Sequence, residues 1–188
     1  KHAVVCGSHR IDGMLDINGT SIDFSGGKGY IEKDWGKSFP ESWIWLQSNH
    51  FSHPDACIML SIARIPWLGS FFVGFLGFLY YNGIFYPFST YLNSEITRLQ
   101  RDEQKLFIEV RGKDHTLQVI AGISQSGLLR APKSGEMSRH IKESIDSELE
   151  VSLTSRKGAL VYKDHATRAG LEVIDSIFDI VKIKPVVR

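Results

Sequence analysis

Apolar and polar residues alternate along most of this 188-residue chain with the two-residue period of strands. In Trp43–Phe51, the clearest stretch, Trp43, Trp45, Gln47, Asn49 and Phe51 fall on one face, and Ile44, Leu46, Ser48 and His50 on the other. The same test predicts strands over Ile11–Ile17, Thr20–Phe24, Tyr30–Trp35, Ala56–Ile65, Gly69–Tyr81, Ile84–Leu92, Glu95–Gln100, Leu106–Arg111, His115–Gly122, Glu148–Ser155 and Leu160–His165. Asn18-Gly19 and Asn82-Gly83 separate apolar runs. Both central residues of a type I′ turn need positive φ, so each pair marks a hairpin. Ser138–Ile145 reads as a short helix. Ile174–Ile183 carries apolar side chains at helical intervals, with a final strand as its alternative.

Turn signals recur about every 10 residues, which indicates an all-β sandwich or antiparallel barrel. A barrel around a cavity needs about eight strands, and Ser48–Val173 supplies roughly that number. Residues 48–175 are therefore expected to form such a barrel. Residues 1–47 read as the C-terminal part of a preceding β-barrel-like domain with the linking motif, and 176–188 as a tail with a short helix.

Composition narrows the function classes. Hydrophobic residues make up 43% and charged residues 23%, so the chain can build a core. Lys and Arg total 22 against 21 Asp and Glu, and a net charge of +1 argues against a nucleic-acid partner. Two cysteines, Cys6 and Cys57, read as unrelated thiols, and zinc-ligand spacing is absent, so no metal is expected. The compartment is not legible, with the cytoplasm favoured for a bacterial host.

The aromatic distribution is uneven. Eleven aromatic residues lie between Trp67 and Tyr91, inside a run from Ile65 to Ser94 with no Asp, Glu, Lys, Arg or His. The run is long enough for a membrane helix. Pro66, Gly69, Gly74, Gly77, Asn82-Gly83 and Pro87 interrupt it, however, so it reads as an aromatic hairpin that lines a cavity or packs two sheet faces together. Peripheral membrane association stays compatible with this reading.

Candidate chemistry concentrates in Gly26–Phe51. On a strand, Tyr30, Glu32 and Asp34 share one face, and Ile31, Lys33 and Trp35 the other. A carboxyl desolvated beside indole rings stays protonated and can donate, and a Trp face can stabilise a developing cation. The plainer reading makes Glu32, Lys33 and Asp34 a salt-bridge set, the Trp residues core, and His50 structural.

The run GYIEKDWG-x-x-FP-x-x-W-x-W-x-Q-x-NHF resembles tocopherol cyclases and their bacterial relatives. More distantly it is similar to lipocalin-like carotenoid hydratases and Diels–Alderase-type proteins. Ala63–Gly69, Gly127–Pro132 and Ala169–Val173 follow in the expected order. The resemblance implies a lipocalin-like barrel and a cofactor-free isomerase that protonates the alkene of a prenylated quinol, so that the phenol oxygen captures the cation. It implies Asp34 or Glu32 as the acid, with His50 or Asn49 orienting the phenol. Tyr30, Trp35, Trp43, Trp45 and Trp67 become substrate-binding candidates. The implied partner is a hydrophobic small molecule of prenylquinol or isoprenoid type. An open strand edge adds a homodimer as a further expectation. A non-catalytic barrel binding a quinone, isoprenoid or lipid is the alternative.

Overall fold

The computed structural model describes residues 2–124, 126–174 and 176–181. The chain divides into two compact units, Lys1–Gly36 and Lys37–Arg188.

The first unit holds β1 (His2–Ile11), β2 (Met14–Ile17), β3 (Thr20–Asp23) and β4 (Gly27–Asp34). β1 pairs antiparallel with β4, and β2 with β3. The sequence pattern does not predict β1, because register shifts between Val4 and Cys6 and between Cys6 and His9 destroy its two-residue period. Asn18 (φ 53°) and Gly19 (φ 81°) make the predicted hairpin turn.

The second unit is one antiparallel sheet. It comprises β5 (Trp43–Ser48), β6 (Cys57–Trp67), β7 (Ser70–Tyr81), β8 (Ile84–Ser89), β9 (Glu95–Arg101), β10 (Lys105–Arg111), β11 (His115–Gly122), β12 (Gly127–Lys133), β13 (Glu136–Ser155) and β14 (Leu160–Val173). Its order is β8-β7-β6-β5-β14-β13-β11-β10-β9, with β12 paired to the first half of β13. One core takes Phe75 of β7 and Phe88 of β8 at one end of that order and Leu99 of β9 and Leu106 of β10 at the other. Strands that far apart share a core only when the sheet curls.

The all-β class is as expected, but among the described residues the barrel does not close: β8 and β9 remain the two edges of the sheet. They are consecutive, joined by a single 3-10 turn over Thr90–Leu92 that Ser89 caps. Pro87 in β8 has no N–H to offer a further strand.

Ser138–Ile145 is not a helix but part of β13. Pairing with β12 on one side overrides the local pattern: Ile141 is buried opposite Leu129 while His140 and Lys142 point outward. β13 then bends at a register shift between Ser144 and Ser147. The buried hydroxyls there are satisfied: Ser144 donates to Asp146 at 3.0 Å, and Ser147 lies 3.1 Å from the Ser124 hydroxyl. A one-turn helix, α1 (Ile177–Ile180), follows β14 and buries Ile177 in the core. Lys182 and Ile183, the end of the predicted C-terminal element, lie outside the described residues. Neither Cys6 nor Cys57 is in a disulfide, and Cys57 is buried.

β5 shows where the alternation holds and where it stops. Ile44 and Leu46 enter the main core. Trp43 lies across the sheet in a second cluster with Ala63, Ala131 and Ile141, against which Phe39, Trp45, Ile65 and Ile174 pack. The strand ends at Ser48, so Phe51, expected with the tryptophans, joins the main core instead, and His50, expected with Ile44, is exposed.

Candidate functional site

In the first unit, antiparallel pairing sets His2 opposite Asp34 and Val4 opposite Glu32. Alternation on β4 then brings Tyr30, Glu32 and Asp34 to the same face. His2 Nδ1 lies 2.9 Å from Asp34 Oδ1 and 3.3 Å from Glu32 Oε1. The Tyr30 hydroxyl donates to Glu32 Oε2. The His2 and Glu32 side chains are 19% and 13% exposed, and Asp34 is 39% exposed. Burial pushes the His2 pKa down, but the hydrogen bond to Asp34 and the charges of Glu32 and Asp34 outweigh it, so the imidazolium persists above the usual histidine range. The result is a proton held between a histidine and two carboxylates, with a phenol on the far side of one of them.

Donor atoms of His2, Glu32 and Asp34 all lie within 4.8 Å of one another, so the three could also hold a metal ion. Sequence reasoning missed His2, whose only signal was membership of the unpredicted strand β1. Trp35, on the opposite face of the segment, is exposed and receives the Lys33 ammonium 5.6 Å from its ring centre. Neighbouring His9 folds over the backbone of β4: a Cβ at Gly29 would lie 2.2 Å from His9 Nε2.

The second unit holds the remaining candidates. Trp43 is buried; its indole N–H donates to Glu172 Oε2 at 2.5 Å, and the Arg139 guanidinium lies 4.7 Å from its ring centre. Pairing of β5 with β14 sets Trp45 opposite Glu172 and Leu46 opposite Leu171. Trp45 lies half-buried over Gly170, where a Cβ would come within 2.7 Å of the indole. Glu143 faces Glu172 across β13 and β14, and burial pushes its carboxyl pKa up. Asn49 is buried, and the His50 carbonyl accepts from the Thr167 N–H. Trp67 is 63% exposed, at the end of a hairpin.

A cavity of about 520 Å³ in the second unit is lined by residues absent from the sequence-based set, among them His53, Tyr81, Tyr162 and Asp164. The His53 and Tyr81 ring centres are 4.8 Å apart, and those of Tyr81 and Tyr162 are 4.6 Å apart. Burial, then the neighbouring Asp164, pushes the Tyr162 phenol far up and keeps it neutral. Burial alone would raise Asp164, but N–H groups of His165 and His53 and hydroxyls of Ser52 and Tyr162 hold its carboxylate below the ordinary range. Tyr162-x-Asp164 on one strand face was the available signal. The residues that complete it come from the segment before β6, Ser52 to Pro54, and from Tyr81 at the end of β7.

Comparison with known proteins agrees with the motif reading. The family model described as tocopherol cyclase-like matches residues 2–174. A probable chloroplastic tocopherol cyclase of Oryza sativa subsp. japonica is 30% identical over 127 residues, which is 64% of this chain and 26% of that protein. A chloroplastic tocopherol cyclase of Zea mays is 33% identical over 51 residues, 27% of this chain and 11% of the relative. The chain thus spans about a quarter or less of these relatives. No solved structure matches it.

Proposed function

The chain belongs to the tocopherol cyclase-like family, and from that premise we propose that it closes a ring on a prenylated phenol, with the His2–Glu32–Asp34 cluster as proton source. The observation that carries this reading is the convergence of His2 on both carboxylates, with the Tyr30 hydroxyl on Glu32.

The chemistry is an isomerisation. A proton leaves the His2–Asp34 pair for the less substituted alkene carbon of the prenyl tail, which leaves a tertiary cation. The phenol oxygen attacks that cation, the new C–O bond closes the chromanol, and the phenolic proton returns to the carboxylate cluster. The reaction is redox-neutral and regenerates the acid. General acid catalysis of this type supplies about 10²–10⁴-fold. Asp34 holds the acid in place through its hydrogen bond to His2, whose imidazolium carries the proton, and Glu32 tunes the pair through its charge.

The test is turnover of a prenylated hydroquinone to its chromanol, followed by chromatography. Asp34→Asn is expected to lower the rate by about 10²–10⁴-fold while isoprenoid binding persists. Unchanged turnover in Asp34→Asn and His2→Ala would remove the cluster from the mechanism. Tight isoprenoid binding with no turnover in the unaltered chain would establish the non-catalytic alternative.

A further inference from the structure

Among the described residues, four two-residue hairpin turns have positive φ at both central residues: Asn18-Gly19, Leu68-Gly69, Asn82-Gly83 and Ser134-Gly135. Three place Asn or Ser at the first position, where a short polar side chain tolerates the left-handed region. The fourth places Leu68 there, at φ 45° and 89% exposed. A leucine at that site bears a conformational cost and an exposure cost with no packing inside its own chain to offset either.

The surrounding geometry isolates this turn. β5 meets β6 no further along than Ala63, and β8 meets β7 no further back than Leu76. The rungs Ile65–Phe72, Pro66–Phe71 and Trp67–Ser70 therefore extend beyond both flanking strands. Three rungs at about 3.4 Å each make a projection of about 10 Å. It is apolar on both faces: Trp67 meets Phe72 edge-on at 6.3 Å on one, and Pro66 and Phe71 occupy the other. Arg64, at its base, stacks 4.0 Å from the Phe71 ring centre and pairs with Glu41, and the next charged residue along the chain is Glu95.

We infer that the Trp67–Ser70 turn is a membrane anchor that inserts Trp67 and Leu68 into the interfacial layer of a lipid bilayer. A two-residue convex tip is too small for a protein interface, which needs about 800 Å² on each partner. It fits interfacial insertion, where apolar groups enter about 5–10 Å and Trp is favoured at headgroup level. This inference does not depend on the proton-donor assignment.

Flotation with phosphatidylcholine vesicles, with and without phosphatidylglycerol, tests it. The unaltered chain is expected to float with both, with little effect of salt because the tip carries no charge. Leu68→Asn and Trp67→Ser are each expected to weaken partitioning about tenfold, on the scale of losing one buried large apolar side chain. Phe85→Ser, in β8 beside the far end of β7, leaves it unchanged. Leu68→Asn installs the residue used at two of the other turns, so its thermal melt is expected to match or exceed that of the unaltered chain. The inference is overturned if the unaltered chain does not float or Leu68→Asn floats equally well. A lowered melting temperature would also overturn it, by making Leu68 a packing residue. Reduced self-association in light scattering without vesicle binding would assign the tip to a second copy of the chain.

Discussion

At the scale of single residues, His2 shows how a neighbour changes an acid. Its imidazole loses solvation, yet two carboxylates within 3.3 Å keep the cation favoured. The folded-state pKa is therefore above the unfolded one. The stabilisation it contributes is complete below the ordinary histidine value of about 6.5 and is lost as pH rises through the raised folded value. NMR titration should find His2 titrating above the ordinary range, and Asp34→Asn should move it down. If turnover uses this imidazolium, the rate falls on the alkaline side of that same pKa, and the pH profile of Asp34→Asn shifts to lower pH. Trp43 poses the opposite case. Trp43→Phe keeps most of the packing but removes the N–H that satisfies Glu172. A cost of about 1.5–3 kcal/mol, the value of a hydrogen bond to a charged group, should appear as a lower urea midpoint.

At the scale of elements, close approach between β6 and β7 depends on Gly77. A Cβ there would lie 2.6 Å from the Met59 carbonyl oxygen and 2.7 Å from Leu60 Cδ1. The first of these is backbone and cannot rotate away. Gly77→Ala should therefore destabilise by about 1–3 kcal/mol, as overpacking does, and chemical denaturation reads the change. The β12–β13 hairpin has a different dependence, because Ala131 and Ile141 supply half of the small cluster over Trp43. Ile141→Ala should cost about 2–5 kcal/mol, accompanied by a change in Trp43 fluorescence that a mutation in the main core would not produce.

At the scale of the whole molecule, the main core draws on strands β5 to β11, on β13 and β14, and on α1, all within Lys37–Arg188. A chain restricted to residues 37–188 is therefore expected to retain a cooperative thermal melt, monitored by circular dichroism. The same chain lacks His2, Glu32 and Asp34, so chromanol formation should be abolished. Cooperative folding together with residual turnover would move the acid into the second unit, where Glu143 and Glu172 face each other across β13 and β14.

Strand period, Asn-Gly turns and the dense motif of Gly26–Phe51 made the β class and family legible before any coordinates, because alternation and turn chemistry are local properties. The same local logic placed Tyr30, Glu32 and Asp34 on one strand face. It failed where a non-local partner decided the outcome. Ser138–Ile145 became strand because β12 pairs with it, and β1 was hidden by bulges that only its register against β4 reveals. His2 joins the carboxylates, and Glu172 meets Trp43, through pairings that span 32 and 129 residues of chain. The aromatic window divides for the same reason. Phe75 and Phe88 reach the core that the curled sheet encloses, whereas Trp67 and Leu68 project because both neighbouring strands stop short. Hydrophobicity told which side chains avoid water; the lengths and register of neighbouring strands decided which of them could.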